Sequence, residues 1–347
     1  MSPAVLPAYG LQERSLKIES VGGGLINDTW KITTKEEAFI LQKVNHDVFK
    51  KPDHIAFNIR LIADYLHQHY PQYHFVAPLS SVDGHELVHL KDEGFFRLFP
   101  FVADSHTRDV VDTPEQAYEA ARQFGKFASH LASFDVNQLK ITIPWFHDLA
   151  LRYQQFLQAM NNAGKQRFTK AENLIRTLLL QADIVSVYSN VVNDPAFKLR
   201  VTHHDTKISN VLFNSQEKGI CVIDLDTVMP GYFISDIGDM MRTYLSPVSE
   251  EESDFSKIVV REEFYKAIVQ GYNHEMKEVL TEKEKEHFFY AGKFMIYMQA
   301  LRFLTDYLND DIYYGANYED HNLVRAGNQA CLLEKLIAKQ DLVNRMI

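Results

Sequence analysis

Cysteine is almost absent: the 347-residue chain has two, Cys221 and Cys331. Both lie in apolar segments and lack metal-ligand spacing, so the chain offers neither a disulfide framework nor a cysteine zinc centre. The reading is buried free thiols in a reducing compartment. Positive charge is also short. Lys and Arg number 36 against 46 Asp and Glu, for a formal net charge of −10. That balance, with no basic block, argues against a nucleic-acid or anionic-membrane partner, because such surfaces need concentrated Lys and Arg. No uninterrupted apolar run approaches the ~20 residues of a membrane span. The opening Met1-Ser2-Pro3-Ala4-Val5 has no basic stretch followed by an apolar core, so no signal peptide is visible. A soluble cytoplasmic protein with no membrane partner is expected. Internal repeats and low-complexity segments are missing as well.

What is present is apolar content, 46 % of residues, enough for the cores of two lobes. Residues 16–21, 29–34 and 39–44 read as strands, with Gly22-Gly23-Gly24 between the first two. Residues 52–70 carry helical periodicity, with Ile55, Ile59, Ile62 and Leu66 near one face and Pro52 at the first turn. Two more strands are expected at 86–90 and 95–99. Beyond Pro100 long helical patterns take over, at 113–134, 146–161, 170–190, 261–278 and 283–309. Thr113-Pro114-Glu115 has the form of a helix start. The expectation is an α+β, bilobal molecule: a small β-rich N-terminal nucleotide-binding lobe over 1–102 and a larger, mainly helical catalytic and acceptor-binding lobe over 103–347.

The most specific chemistry lies in His203-His204-Asp205-Thr206-Lys207-Ile208-Ser209-Asn210, followed by Ile223-Asp224-Leu225-Asp226. The first string has the form H-x-D-x-x-x-x-N, and the second is an apolar run ending in aspartate. An alcohol that attacks the terminal phosphate of ATP must lose a proton, and a carboxylate can take it. The transferring group is highly charged, so Mg²⁺ must bridge its oxygens, and Mg²⁺ prefers hard oxygen ligands. Asp205 is therefore read as the base, Asn210 and Asp224 as metal ligands, and Lys207 as a charge beside the transferred phosphate. Residues 211–213 and 220–223 form a hairpin that carries Asn210 at its entry and Asp224 at its exit. Asp226, two residues on, projects to the same face as Asp224 if the chain is extended; it is a second metal ligand, a substrate contact or a charge that orients Lys207. Asp236 precedes an apolar helical stretch and reads as its N-cap.

The glycine run lets the backbone approach phosphates, with Gly23 and Gly24 as the contacts, although no G-K-[ST] follows. Asn27, Asp28 and Thr29 follow it, to reach the sugar or phosphates or to cap the turn. In the third strand Gln42 stands where protein kinases have a lysine, and Lys43 points to the opposite face, unless the register shifts by one. The clamp between that lysine and a helix glutamate is absent or replaced. Arg302 and Asp306 share one face of a helix. Tyr313 and Tyr314 are either pocket walls or interior residues.

The motif order resembles the aminoglycoside phosphotransferase and choline kinase superfamily, which has a protein-kinase-like fold. Within it, 22–30, 204–207, 223–231 and 302–308 are similar to the N-acetylhexosamine 1-kinase family, and the likeness runs from the glycine loop to the late helix. The resemblance implies ATP- and Mg²⁺-dependent phosphorylation of the anomeric hydroxyl of N-acetylglucosamine or N-acetylgalactosamine. It implies that backbone near Phe101 and Val102 meets adenine, that an aspartate at Asp236 props the catalytic loop, and that Arg302 contacts the acceptor sugar; Asn27, Thr29, His204, Asp226 and Asp306 are further candidates for acceptor contacts. His203 is a structural residue of the loop. Two alternatives remain: a related kinase with another acceptor, such as an aminoglycoside or choline, and an inactive kinase fold used for binding. Oligomeric state is not legible.

Overall fold

The computed structural model describes residues 3–11, 16–21 and 26–343. The elements run, in chain order, β1 (Lys17–Ser20), β2 (Asp28–Thr33), β3 (Ala38–Val44), α1 (Pro52–His69), β4 (Val88–Leu90), β5 (Gly94–Pro100) and β6 (Ser105–His106). Then come α2 (Pro114–His130), α3 (Leu149–Asn162), α4 (Lys165–Leu179), α5 (Asp183–Asn193), β7 (Arg200–Thr202), β8 (Val211–Asn214), β9 (Gly219–Val222) and β10 (Met229–Gly231). The chain closes with α6 (Phe233–Tyr244), α7 (Glu262–Met276), α8 (Glu282–Lys285), α9 (Phe288–Leu308), α10 (His321–Ala338) and α11 (Gln340–Val343). The α+β class is as expected, and among the described residues no helix is long and apolar enough to cross a membrane.

The chain divides into two compact units. One holds 1–106, 133–144 and 212–230; the other holds 107–132, 145–211 and 231–347. A single cut near 102 therefore puts the hairpin and its aspartates on the helical side, whereas they group with the sheet.

The first unit is built on an antiparallel sheet in the order β1-β2-β3-β5-β4. Side chains alternate between its faces. Leu41, Ile32, Phe96 and Leu98 pack on one face with Val5 and Leu6 from a short N-terminal 3-10 helix. The opposite face carries a polar row: Thr29 lies across from Gln42, and Gln42 across from Arg97. Helix α1 starts with Pro52 in its first turn and buries Ile55, Ile59, Ile62 and Leu66, as its periodicity predicts. Its buried Asn58 donates to the Lys140 and Val228 carbonyls at 2.8 and 3.0 Å, tying in the two later segments of this unit. The hairpin β8-β9 forms where expected, with β6 added alongside β8.

The second unit is helical. Thr113 caps α2 with a capping box to Gln116. The pattern over 170–190 is two helices, not one. The backbone changes to i→i+3 bonding at 180–182, where Gln181 and Ala182 donate to Leu178 and Leu179. Both α4 and α5 then pack on α9, burying Ile175 and Leu178 from one and Ile184 and Val191 from the other. The pattern over 283–309 likewise splits: the Thr281–Glu284 capping box opens α8, a separate short turn before α9. Helix α9 is buried on nearly every side and forms the axis of this unit. Helix α10 carries no strong signal in the sequence reading, yet it packs against α9 too. Both cysteines are free; Cys221 is buried and Cys331 half-buried.

Candidate active site

In the helical unit the segment after β7 is a loop held almost entirely by backbone-to-carboxylate bonds. His203 is fully buried, its ring edge-on to Phe124 and Phe127. His204 has φ +68, a left-handed conformation that costs a non-glycine residue free energy unless its surroundings enforce it. Here the surroundings do: Asp236 accepts from the His203 N–H at 3.2 Å and the His204 N–H at 2.8 Å. The Thr206 N–H donates to Asp239 at 2.8 Å, the Thr206 hydroxyl to the Asp236 carbonyl at 2.7 Å, and the Tyr244 hydroxyl to the Thr206 carbonyl at 2.6 Å. Asp236 lies inside the first turn of α6, whose N-cap is Tyr232. It is thus no cap, and it braces the loop.

That bracing presents Asp205. Its Oδ1 lies 3.0 Å from the Lys207 ammonium. Asn210 donates Nδ2 to the Asp205 carbonyl at 2.8 Å and to Oδ2 at 3.1 Å. Burial opposes ionisation of Asp205, but Lys207, with help from His203 and Asn210, holds its carboxyl below the ordinary range. Burial also works against the charge on Lys207, yet Asp205 and Asp239 keep its pKa raised. The outcome is an ionised carboxylate paired with a charged amine. Asp205, Lys207 and Asn210 thus lie together within this unit.

Burial pushes the Asp236 carboxyl up to about 7, against the pull of the His204 and His203 N–H groups. The folded state therefore binds a proton more tightly than the unfolded chain, whose value is near 3.8. The stability this group supplies is full below about 3.8 and is lost as pH rises through about 7. The melting-temperature difference between wild type and Asp236→Asn is expected to shrink as pH climbs through that window. A difference flat from acid to alkaline pH would contradict it.

Behind the loop, Arg242 pairs with Asp239 at 3.0 Å and with Glu250 at 2.7 Å. Arg325 also pairs with Glu250. The sequence reading has none of these. Ser235 bonds both His204 Nδ1, at 2.7 Å, and His147 Nδ1. His204, expected to face substrate, is buried, with its Nδ1 engaged by Ser235.

A second cluster in the same unit lies around α9. Arg302 donates to Gln299 at 3.2 Å and lies 5.5 Å from the Tyr314 ring and 5.7 Å from that of Phe146. Arg152 donates to the Trp145 carbonyl at 3.0 Å and to Gln155. Burial and then Arg302 depress its guanidinium pKa. Among the described residues neither arginine has a carboxylate within ion-pair distance. Asp306 is differently placed: its two oxygens accept from the Tyr313 and Tyr314 N–H groups at 2.7 and 2.8 Å. It shapes the loop that presents Tyr314 to Arg302, in place of the Arg302 pairing that i, i+4 spacing suggests.

In the sheet unit, Asp224 is exposed and left-handed at φ +60, and a 3-10 turn, Leu225–Thr227, follows at once. That turn abolishes strand alternation, so Asp226 does not share the face of Asp224. It is buried, only 1 % exposed. There it meets Arg97 Nη1 at 2.5 Å and the Asn27 amide at 2.8 Å. Arg97 also donates Nε and Nη2 to Gln42 Oε1 at 3.1 and 2.8 Å. Gln42 Nε2 reaches Thr29 Oγ1 at 3.3 Å. Asn27 accepts from the Asn45 N–H at 3.0 Å. Asn27, Thr29, Gln42 and Asp226, four expected ligand contacts, are thus bound to one another around Arg97, which the sequence reading passed over. Lys43 takes the opposite face and runs beside Gly94, where φ +104 and the missing side chain leave it room. At the end of β5 the Phe101 N–H is used by the Ala38 carbonyl, and the Val102 carbonyl accepts from Ser105. Of the two, only the Val102 N–H has no partner among the described residues. Gly23 and Gly24 lie outside the described residues.

Two of the expected metal ligands are hard oxygen donors of the kind a divalent cation takes. With its Nδ2 committed to Asp205, Asn210 has Oδ1 to offer, and Asp224 is an exposed carboxylate. Among the described residues no three His, Cys, Asp or Glu side chains gather as a metal cluster.

Solved structures with the same fold include an aminoglycoside phosphotransferase from Alicyclobacillus acidocaldarius, 13 % identical, TM-score 0.65, covering 99 % of this chain and 96 % of that one. A microcompartment-associated aminopropanol kinase is 15 % identical with TM-score 0.65, covering 99 % and 98 %. An amicoumacin kinase in complex with AMP-PNP and Ca²⁺ is 14 % identical with TM-score 0.63, covering 96 % and 91 %. At such identities they establish a shared fold. A family model described as the phosphotransferase enzyme family matches residues 17–281, the greater part of the chain and all of the motif residues from Asp205 to Asp224. The chain belongs to the phosphotransferase enzyme family.

Proposed function

We propose that this protein transfers the γ-phosphoryl group of ATP to the anomeric hydroxyl of an N-acetylhexosamine, giving the sugar 1-phosphate. The sugar oxygen attacks phosphorus in line, the bond from phosphorus to the bridging oxygen of ADP breaks, and the hydroxyl proton passes to Asp205. Asp205 supports this role by its depressed pKa and its fixed placement between Lys207 and Asn210. Lys207 places positive charge beside the phosphoryl oxygens. Asn210 and Asp224 would be the protein ligands of Mg²⁺, which would supply further charge neutralisation. The amicoumacin kinase of the same fold was solved with a nucleotide analogue and a divalent ion, which favours the same pairing here.

One observation carries the acceptor class. Arg302 and Arg152 stand near Phe146 and Tyr314 with no carboxylate to neutralise them among the described residues. Guanidinium donors beside aromatic rings suit a neutral, oxygen-rich molecule whose hydroxyl and acetamide oxygens accept hydrogen bonds. They repel choline and the polycationic aminoglycosides. The test is an ATP-consumption panel of N-acetylglucosamine, N-acetylgalactosamine, glucose, choline and an aminoglycoside, with phosphorus NMR of the product. Turnover with the acetamido sugars and a phosphate at the anomeric carbon is expected. Consumption with choline or the aminoglycoside alone overturns the acceptor. Nucleotide binding without turnover on any of them favours the inactive, binding-only alternative.

A further inference from the structure

A protein-kinase-like nucleotide lobe ordinarily carries a strand lysine that meets the nucleotide phosphates and is paired to a helix glutamate. This chain has Gln42 where that lysine belongs, and both atoms of its amide are engaged: Oε1 receives Arg97 and Nε2 reaches Thr29. The charge on this face of the sheet comes from the next strand. Arg97 is 3 % exposed, too deep to meet a nucleotide itself. Its guanidinium is aimed by Gln42 on one edge, and its Nη1 lies 2.5 Å from Asp226 on the other. Asn27 holds the second oxygen of Asp226 from β2's leading end. Asp226 in turn lies inside the 3-10 turn that opens at the left-handed Asp224.

We infer that Arg97 is a positioning residue: the Gln42–Arg97–Asp226 clasp replaces the lysine–glutamate clamp and fixes the Asp224 turn so that the Asp224 carboxylate is preset for the metal of a metal–nucleotide complex. Arg97 thus acts through Asp226 and not on the phosphates. A planar guanidinium serves where an ammonium does not, because it donates to an amide oxygen along one edge while its other end lies in ion-pair contact with a carboxylate. The inference rests on the reading of Asp224 as a metal ligand in a nucleotide site.

The test is calorimetric titration of ADP into wild type, Arg97→Lys and Gln42→Glu, each with and without Mg²⁺. Gln42→Glu keeps the volume and draws the guanidinium toward β3, so it carries the test should Arg97→Lys fail to fold. Both variants are expected to lose about tenfold of the Mg²⁺-dependent gain in ADP affinity, in line with losses seen when groups that orient metal ligands are changed. Affinity for metal-free ADP is expected to stay at the wild-type value. An undiminished Mg²⁺ gain in a folded variant overturns the inference. An equal loss with and without metal overturns it too, since Arg97 would then be contacting phosphate. Failure of the underlying reading shows up separately and first: wild type would bind no ADP, or bind it without regard to Mg²⁺, and the inference would fall with it.

Discussion

Asp205→Asn is expected to lower turnover about a hundredfold or more, the usual worth of a positioned general base, while ADP affinity stays close to wild type. The substitution is nearly isosteric, so the loop bonds from Asp236 and Asp239 have no reason to change. What changes is chemistry. One carboxylate oxygen becomes an amide nitrogen that cannot take a proton. Both oxygen positions also face donors, Lys207 on one side and the Asn210 amide on the other. Whichever way the new amide turns, one donor meets a donor. The ion pair that keeps Lys207 in place is lost with the charge. Single-turnover transfer from labelled ATP separates this from a binding defect. A variant that retained near-complete turnover would show that Asp205 is not the base.

How far the sequence carries follows from how local each device is. Asp205, Lys207 and Asn210 sit within six consecutive residues, and their contacts lie inside that loop, so a linear motif is almost the whole of it. The hairpin after it is legible for the same reason. The bracing role of Asp236 follows from the family resemblance, while the cap that its position before an apolar stretch suggests does not form. Arg97 is different. In the sequence it is one charged residue in an apolar strand, and only the register that sets it beside Gln42, together with the return of Asp226 beneath it, gives it meaning. Asp226 departs from the expected placement because alternation assumes an extended chain, and a left-handed residue followed by a 3-10 turn is not extended. The split of 170–190 into two helices escapes periodicity analysis because both halves are helical and apolar. The break is imposed by wrapping around α9, and no proline or glycine marks it.

Lys207→Met is expected to cost about 10²–10³ in kcat, the range seen when one donor to a developing negative charge is removed, with the KM for ATP within a few-fold of wild type. Lys207 is placed for such a role. Its ammonium is kept charged, against burial, by Asp205 and Asp239. It is also partly exposed, 39 % by side chain, so it is free to meet a phosphoryl group. Two explanations of a rate loss must be told apart. If Lys207 only keeps Asp205 ionised, raising the pH restores the variant, because burial then pushes the carboxyl pKa up with only His203 and Asn210 to oppose it. If it bears on the phosphoryl charge, the deficit persists across the pH range, and that persistence is the expected result. Lys207→Arg is expected to rescue poorly, since a planar guanidinium would have to share this space with Arg242, which already opposes the charge on Lys207. The double variant with Asp205→Asn is expected to be little worse than either single one, as befits groups that act as a unit. Full additivity of the two losses would mean that base and amine serve separate steps, and near-normal kcat in Lys207→Met would remove the amine from the reaction altogether.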